Sequence, residues 1–339
     1  MQLKLHPYKL LLDEPFTISR ETYSERKTLI VELIEGNNRG FGEASEHRYY
    51  SITQENLMQR AESLRPLIES YQFDHPNKFH QFLQKELSDF PFLQCAFDNA
   101  AHDLYGQIRG EACHQLWGVN NAFYPKSSYT LSIAPIEKMV EKVQSNQFAI
   151  YKVKLGTDHD LEIIRALRKN SNAIFRVDAN CAWTAKETIK NSHELKELGV
   201  EFIEQPLQAN DWAGMKEVYQ HSALPIIADE ACLNEKDVDL ASGHFHGINI
   251  KLMKCGGLST ALKMIERARS LGLKVMCGCM VESSVGIAAI AQLLPLLDYV
   301  DMDGPLFLTN DPAESAKIQA DGSIVFPEGN GLGISMKKN

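Results

Sequence analysis

The chain has 339 residues, of which 44% are hydrophobic and 23% are charged, and its formal net charge is −9. This length predicts one large domain, or a large domain with a smaller one, and the ordinary composition excludes a disordered or fibrous protein. A negative charge without any run of lysine and arginine argues against a surface that binds nucleic acid or an anionic membrane.

The N-terminal residues and the cysteines indicate where in the cell the protein is expected. The first residues, MQLKLHPYKLLLDEP, are interrupted by charges and proline and are not a signal peptide, and no stretch approaches 18 apolar residues in a row. The seven cysteines are an odd number without CxxC spacing, which is typical of reduced thiols. We therefore expect a cytoplasmic protein without a nucleic-acid or membrane partner. We also expect it to form a homo-oligomer.

Residues 1–125 have strand patterns first and helix patterns after them. The segments KLHPYKLLL, KTLIVELIEG and RGFGEAS predict three strands, and helices are predicted at about 53–70, 76–87 and 91–109. Strands followed by helices are typical of an α+β unit.

From residue 126 onward, short apolar segments alternate with segments of helical composition. Eight strands are predicted, at residues 128–133, 149–155, 173–179, 201–206, 225–230, 247–252, 274–279 and 299–304. This alternation indicates parallel βαβ units, and eight of them close into a (β/α)8 barrel over residues 126–304. Residues 305–339 contain a short SIVF strand and a glycine-rich end, and we expect them to return to the first domain.

Charged residues occur at the C-terminal ends of these strands, where barrel enzymes have their active sites. A rim salt bridge could explain one of them. Charges at the ends of six buried strands indicate function instead, because buried charge is rare without it. They are Lys152, Lys154, Asp178, Glu204, Asp229, Lys251, Asp301 and Asp303.

Asp178, Glu204 and Asp229 follow three consecutive strands, about one βα unit apart. Converging carboxylate oxygens that leave positions open suit Mg²⁺, whereas Zn²⁺ is disfavoured by the lack of histidine or cysteine in the set. Helix-capping carboxylates are common singly but do not account for three consecutive strands. We predict a Mg²⁺ site.

Lys154 and Lys251 end the second and sixth strands, which stand opposite each other in a ring of eight. Asp301 and Asp303 on the eighth strand face the carboxylate strands. A substrate would have an anionic end on Mg²⁺, a cationic end on the Asp pair and a carbon between two lysines. This layout favours 1,1-proton transfer: one lysine removes an α-proton, Mg²⁺ stabilises the enediolate, and the other lysine returns a proton to the opposite face.

Lys152 shares a strand face with Lys154, because side chains two apart point the same way. We expect Lys152 to polarise the substrate carboxylate. We also expect it, with the metal ion and partial burial, to lower the pKa of Lys154, since an ordinary lysine with a pKa of about 10.4 is a poor base at neutral pH.

These motifs resemble the enolase superfamily, and within it the muconate-lactonizing-enzyme subgroup. The resemblance rests on the K-x-K of residues 152–154, the three carboxylates, KLMKCGG at 251–257 and the two-domain layout. The segment CGCMVESSVG at 277–286 and the D-x-D of residues 301–303 resemble the dipeptide epimerases. The resemblance covers nearly the whole chain.

The resemblance implies a role for each motif. The three carboxylates are the Mg²⁺ ligands, Lys154 and Lys251 the acid/base pair, and Lys152 the group that stabilises the substrate carboxylate. Asp301 and Asp303 bind the N-terminal ammonium of a dipeptide. Thr130, which ends the first barrel strand, is a candidate contact to the dipeptide backbone, although threonine is also common in strands for packing reasons.

Specificity is where the sequence departs from the family pattern. Members that act on Ala-Glu carry an arginine in the lid loop after the first strand; here the loop reads FTISRETYSERKT, and Glu21 takes that position, with Arg20 beside it and Arg26 further on. If Glu21 faces the pocket, it repels an acidic second residue, which favours Ala-Ala or Ala-Val. Cys279 and Met280 are expected to line the side-chain pocket, although core packing would explain them equally.

Several other functions remain open at this stage. An N-succinylamino-acid racemase or an o-succinylbenzoate synthase would share the fold and lysines, but neither needs two carboxylates opposite the metal, and the same argument disfavours a muconate cycloisomerase. A Schiff-base aldolase would explain one buried lysine but not the metal site. A non-catalytic dipeptide-binding protein needs no second lysine. The resemblance further suggests a part in peptidoglycan recycling.

Overall fold

The computed structural model describes residues 1–19 and 21–338. The chain forms an N-terminal antiparallel sheet with helices, followed by an eight-stranded parallel barrel. This is the predicted fold class, an α/β barrel with an N-terminal α+β capping domain. Arg20, one of the three candidate lid residues, lies outside the described residues.

The capping domain contains the three strands and three helices that the sequence predicts, and one additional short helix. The strands pair in the order β1-β2-β3 and all pairs are antiparallel. The elements are β1 (Gln2–Ile18), β2 (Glu21–Glu35), β3 (Asn38–Ser45), α1 (Gln54–Glu69), α2 (Pro76–Leu87), α3 (Pro91–Arg109) and α4 (Cys113–Leu116).

The lid is the end of a β-hairpin and not a loop, which corrects the sequence-based expectation. Phe16 pairs with Tyr23, and Ile18 pairs with Glu21, after a register shift that follows Leu11. Threonine, tyrosine and isoleucine in this segment favour extended backbone, and pairing satisfies peptide groups that a loop would leave to water. The lid therefore extends directly from the capping sheet.

Two glycines on β3 bring the capping sheet close to α3. A Cβ atom at Gly40 would lie 2.1 Å from Ala100 O, and one at Gly42 would lie 2.0 Å from Ala96 O. Any side chain at either position would push the helix off the sheet. The close approach fixes α3 between the sheet and the barrel.

The barrel contains all eight predicted strands, and each of them ends one to three residues before the predicted end. Neighbours pair in parallel in the order β4 to β11, and Ser127, just before β4, bridges to Val300 on β11 and nearly closes the ring. The strands are β4 (Tyr129–Leu131), β5 (Ile150–Lys154), β6 (Ile174–Asp178), β7 (Val200–Glu204), β8 (Ile226–Ala228), β9 (Gly247–Ile250), β10 (Lys274–Gly278) and β11 (Tyr299–Asp301).

Helices connect the barrel strands on the outside. Local signals set their ends: in α7, for example, the Thr184 side chain and Glu187 form a capping box. The helices are α5 (Ile136–Ser145), α6 (Asp160–Asn170), α7 (Ala185–Glu197), α8 (Trp212–His221), α9 (Glu235–Ala241), α10 (Leu252–Cys255), α11 (Leu258–Ser270) and α12 (Ser284–Leu293).

Two buried carboxylates of the capping domain dock on the N-termini of barrel helices. Glu43 of β3 accepts hydrogen bonds from Ser283 N and Gly286 N at the start of α12. Asp98 of α3 accepts from Ser259 N at the start of α11, at 2.7 Å. Free amide groups and the helix dipole favour an anion at such ends. These contacts fix the orientation of the capping domain over the barrel.

The C-terminal segment packs against the capping domain. Leu332 N donates to Asp103 Oδ1 of α3 at 2.8 Å, and Tyr8 of β1 donates to the carbonyl of Asn310 at 2.9 Å. Its short strands are β12 (Ala313–Glu314), β13 (Lys317–Ile318), β14 (Ile324–Val325) and β15 (Ser335–Met336). Among residues 1–19 and 21–338, no helix has both the length and the apolar character needed to cross a membrane.

Candidate active site

A cavity of about 250 Å³ opens at the C-terminal ends of the barrel strands, under the lid and residues 47–50 of the capping domain. Asp178 and Glu204 are fully buried. The remaining predicted site residues all line the cavity: Glu21, Thr130, Lys152, Lys154, Asp229, Lys251, Cys279, Met280, Asp301 and Asp303.

Strand register brings the charged residues into one row. Lys154 pairs with Asp178 across β5 and β6, and Asp178 pairs with Glu204 across β6 and β7. Asp229 is the first residue after β8. Because each residue ends its strand at the same level, the side chains converge over the mouth of the barrel.

The three carboxylates form a group that fits a small divalent cation. One oxygen from each of Asp178, Glu204 and Asp229 lies within 4.8 Å of the others, and all three residues are buried. Glu204 Oε2 accepts no hydrogen bond from any residue that the structure describes, although Lys152 Nζ lies 2.9 Å away. A buried, all-oxygen set with an oxygen left over is a Mg²⁺ donor set.

Each carboxylate of this triad has one oxygen held by a donor from a neighbouring segment. Such contacts fix the rotamer of a metal ligand before the metal binds. The pairs are Asp178 Oδ1 with Asn180 N at 2.9 Å, Glu204 Oε1 with Asn249 Nδ2 at 2.8 Å, and Asp229 Oδ1 with Lys254 Nζ at 2.5 Å.

The other oxygen of each carboxylate faces a lysine of the predicted catalytic set. The three lysines therefore balance the charge of the triad, and a cation bound there would compete with an ammonium group at each of these oxygens. The pairs are Asp178 Oδ2 with Lys154 at 2.6 Å, Glu204 Oε2 with Lys152 at 2.9 Å, and Asp229 Oδ2 with Lys251 at 2.7 Å.

Burial and the carboxylates act against each other on the lysine pKa values. Burial alone would lower the pKa of Lys152, but Glu204 and Asp301 raise it well above the ordinary value. The pKa of Lys251 is likewise raised, because Asp229 outweighs burial. Neither ammonium group is a base while these carboxylates hold it.

Burial and the lysines also act against each other on the pKa values of the triad carboxyl groups. Burial raises the pKa of Asp178, but Lys154 and Lys152 outweigh burial and bring that pKa to about 2. Burial dominates at Glu204 and raises its pKa to about 7. A carboxylate that is this costly to ionise gains most from a nearby cation.

Asp301 and Asp303 form a second buried acidic pair, linked to the triad through Lys152. Lys152 Nζ lies 3.0 Å from Asp301 Oδ2 and lowers the pKa of that carboxyl, which burial alone would raise. Burial and the adjacent Asp301 raise the pKa of Asp303 well above its usual range. A further cation at this pair would relieve the repulsion between the two carboxylates.

Thr130 orients this acidic pair. Its backbone N–H donates to Asp303 Oδ2 at 2.5 Å, and its hydroxyl donates to Asp301 Oδ1 at 3.3 Å. Cys279 Sγ lies 4.0 Å from Asp303 Oδ1. The substrate contact predicted for Thr130 stays a prediction, since the structure gives both of its donors to the aspartates.

Glu21 faces the cavity, but its charge is balanced within the lid. Arg26 Nη2 lies 3.2 Å from Glu21 Oε1, and the Arg26 guanidinium stacks 3.7 Å from the centre of the Tyr23 ring. Arg26 is 6% exposed. The lid therefore presents an acid and a base held together on an aromatic face.

Sequence reasoning missed several residues around the cavity. Alternation along the predicted strand at 225–230 would place Glu230 on the face opposite to Asp229, but β8 ends at Ala228, so alternation no longer applies and Glu230 lines the cavity wall. Tyr50 and Asn180 also line it. Asn180 could have been found from the sequence, because it lies only two residues after Asp178. Tyr50 could not, because it belongs to the capping domain.

Comparison with known proteins identifies the family. A family model described as "Enolase C-terminal domain-like" matches residues 136–339, which is more than half of the chain. The chain belongs to the enolase superfamily. Within the superfamily it groups with the dipeptide epimerases, which are isomerases.

Relatives in the superfamily match the chain over its whole length. An L-Ala-D/L-amino acid epimerase of Maribacter sp. is 53% identical, covering 100% of each chain, and one of Flavobacterium johnsoniae is 49% identical, covering 99% of this chain and 100% of the relative. A crystal structure of a dipeptide epimerase from Cytophaga hutchinsonii, complexed with Mg and the dipeptide D-Ala-L-Val, has a TM-score of 0.95. It is 26% identical and the match covers 100% of this chain and 96% of that one. Mg²⁺ is the cofactor that both the superfamily and the triad indicate.

Proposed function

We propose that the protein epimerises dipeptides at the α-carbon of the C-terminal residue, by proton transfer between two lysines, and that it prefers Ala-X with a small or uncharged X. The observation that carries this proposal is the arrangement of Lys154 and Lys251. Lys154 ends β5 and Lys251 directly follows β9; these strands are four apart in the ring of eight, with the triad between them.

The two lysines supply the proton chemistry. A dipeptide bound across the cavity has its C-terminal α-carbon between Lys154 Nζ and Lys251 Nζ. One amine removes the α-proton, and the ammonium group on the other face delivers a proton to the same carbon, which inverts the configuration. Since the roles are exchanged in the reverse direction, both diastereomers are substrates.

The triad and Lys152 act on the carboxylate end of the substrate. Asp178, Glu204 and Asp229 would hold Mg²⁺, which when bound acts as a Lewis acid on the substrate carboxylate. Lys152, buried between Glu204 and Asp301, adds a fixed positive charge at the same end. This charge stabilises the enediolate, because the negative charge that forms on the oxygens is greater than in the substrate.

Asp301 and Asp303 bind the N-terminal ammonium of the dipeptide. Burial, and then repulsion from Asp301, raise the pKa of Asp303, so this acidic pair gains from a cation placed between the two carboxyl groups. A neutral acylated nitrogen would leave this repulsion in place. This argument favours a free dipeptide over an N-succinylamino acid, and it also disfavours the aromatic acid of an o-succinylbenzoate synthase.

The preference for small or uncharged X follows from the lid. Glu21 and Arg26 neutralise each other, so among the described residues of the lid this pair offers neither a free cation to an acidic side chain nor a free anion to a basic one. Tyr23, Met280 and the carbon atoms around them favour apolar contact. Breaking the ion pair to accommodate a charged X costs free energy that an alanine or valine does not require.

The decisive experiment is proton NMR in D₂O with a panel of Ala-X dipeptides, with Mg²⁺ and again with EDTA. We expect metal-dependent loss of the C-terminal α-proton signal and appearance of the other diastereomer, fastest for small and apolar X. Exchange in N-succinylamino acids, with none in any dipeptide, would instead favour the racemase. Tight binding of dipeptides without exchange would favour a dipeptide-binding protein.

The cellular setting remains a prediction from the sequence. The acidic surface and reduced thiols favour the cytoplasm, and the family resemblance suggests recycling of peptides from peptidoglycan. The homo-oligomer also stays a prediction, which size-exclusion chromatography with light scattering would test.

A further inference from the structure

Asn249 contacts a predicted metal ligand from a strand that contributes no ligand of its own. Its Nδ2 donates to Glu204 Oε1 at 2.8 Å, and Lys152 Nζ donates to the same oxygen at 3.0 Å. Glu204 is fully buried. Oε1 therefore has two donors, whereas Oε2 accepts no hydrogen bond from the described residues and is the oxygen left for a metal ion.

The position of Asn249 on β9 is set by alternation along the strand. It lies two residues before Lys251, so both side chains point into the barrel. Asn249 is fully buried, and its Oδ1 accepts no hydrogen bond from the described part of the chain. A buried amide with an unsatisfied oxygen costs free energy, so packing alone would favour an apolar residue here.

Gly278 on β10 leaves the space that the Asn249 amide occupies. A Cβ atom at Gly278 would lie 2.8 Å from Asn249 Nδ2 and 2.8 Å from Asn249 Oδ1, and its three nearest neighbours are all Asn249 atoms. The backbone of Gly278 is part of a regular strand, so unusual dihedral angles do not explain the glycine. Two strands are therefore adapted to one amide group.

We propose that Asn249 is a positioning residue that fixes Glu204 Oε1 and so directs Glu204 Oε2 toward the metal ion, with Gly278 providing the room. The proposal rests on the assignment of Glu204 as a metal ligand. A neutral amide suits this role because it orients a carboxylate without adding a positive charge that would repel Mg²⁺. The unsatisfied Oδ1 is the cost of placing the donor there.

The test measures metal binding directly, with Mn²⁺ as the probe and its electron paramagnetic resonance signal as the readout. Asn249→Ala should weaken Mn²⁺ binding about 10-fold, the lower end of what the loss of such supporting contacts costs. Gly278→Ala should also weaken it, because the new methyl group displaces the amide. In the Asn249→Ala background, Gly278→Ala should have little further effect.

Two further variants separate positioning from general damage. Asn99 is another buried asparagine, which contacts Cys95 and Leu258 away from the triad, so Asn99→Ala should leave Mn²⁺ affinity within about two-fold of the parent even if it lowers the melting temperature. Glu204→Gln should weaken Mn²⁺ binding strongly, and Asn249→Ala should add little to it.

The outcomes distinguish the two assignments. Unchanged Mn²⁺ affinity in Glu204→Gln overturns Glu204 as a ligand, and with it the proposed function of the triad. A strong effect of Glu204→Gln with no effect of Asn249→Ala overturns only the role of Asn249. Equal losses in Asn99→Ala and Asn249→Ala would show that the loss reflects stability rather than positioning.

Discussion

Lys251 Nζ lies 2.7 Å from Asp229 Oδ2, so a lysine assigned to proton transfer and a carboxylate assigned to metal binding neutralise each other. If Asp229 holds Mg²⁺ as proposed, the metal ion would compete with this ammonium group and would weaken the attraction that, against burial, raises the pKa of Lys251. We therefore expect metal binding to be coupled to the release of a lysine for catalysis.

This coupling predicts that Lys251→Met strengthens Mg²⁺ binding while it abolishes epimerisation. The variant removes a cation that competes for Asp229 Oδ2, and we expect about five-fold tighter binding, equivalent to ~1 kcal/mol. Isothermal titration of Mg²⁺ into the metal-free protein measures the effect. Lys216→Met, on the exposed face of α8, is the matched control and should not change the affinity; weaker binding in Lys251→Met would contradict the coupling.

Loss of a single lysine should separate proton exchange from epimerisation. Lys154→Ala and Lys251→Ala each retain one base, so each should exchange the α-proton of one diastereomer with solvent deuterium while epimerisation falls by about 100-fold or more. The two variants should exchange opposite diastereomers, because their remaining lysines face opposite sides of the carbon. Proton NMR in D₂O with each pure diastereomer measures this; exchange of the same diastereomer by both variants would rule out the two-base mechanism.

Blocking the N-terminus of the dipeptide should abolish the contribution of the acidic pair. N-acetylated Ala-X lacks the ammonium group, and we expect kcat/KM to fall by about 100-fold, as expected when a buried charged pairing loses one partner. In Asp301→Asn the preference for the free dipeptide should shrink. If the acetylated and free dipeptides react equally well, the acidic pair does not bind the ammonium group.

The ion pair between Glu21 and Arg26 predicts that substituting one residue or the other changes substrate specificity in opposite directions. Glu21→Gln releases Arg26 and should raise kcat/KM for Ala-Glu, and Arg26→Met releases Glu21 and should raise it for Ala-Lys, each by about 10-fold. Ala-Val serves as the control substrate and should change little in either variant. A uniform loss for all three dipeptides would show that the pair is structural.

Glu282 predicts a pH dependence of stability. Burial, and then the nearby Glu43 carboxylate, raise the pKa of Glu282 from 4.5 to about 8. A raised folded-state pKa gives stability that is present below pH 4.5 and is lost as the pH rises through about 8. Glu282→Gln has no such titration, so its stability relative to the parent should increase by roughly 5 kcal/mol over this range.

Urea unfolding of the parent and of Glu282→Gln at the two ends of the range measures this difference. Glu217→Gln changes an exposed glutamate on α8 and is the matched control. A difference between Glu282→Gln and the parent that is constant with pH would show that Glu282 does not titrate on unfolding.

The barrel and the charged residues at its strand ends were predictable, because each strand and helix has a local sequence pattern. Lys154, Asp178 and Glu204 each end a predicted strand, and parallel register places such residues side by side. Contacts that depend on long-range packing were not predictable. Tyr50 reaches the cavity from the capping domain, whose sheet lies close to α3 at Gly40 and Gly42, and no local pattern encodes that distance.

The ion pair between Glu21 and Arg26 and the contacts that support the triad could not be predicted from the sequence for a second reason. Glu21 lines the cavity, but its neutralisation by Arg26 depends on a hairpin where a loop was expected. Asn249 reads as an ordinary strand residue until its distance to Glu204 is known. Side-chain pairings of this kind require coordinates.

The docking of Glu43 and Asp98 on two barrel helices has a consequence for how such enzymes diversify. The lid belongs to one half of the molecule and the two lysines proposed to transfer the proton belong to the other, and acid-to-helix contacts help to fix how the two halves pack together. Mutations in the hairpin can therefore explore new side-chain preferences while the reaction centre is inherited unchanged. Exchange of whole caps between relatives remains workable as long as these two acids find the same helix ends.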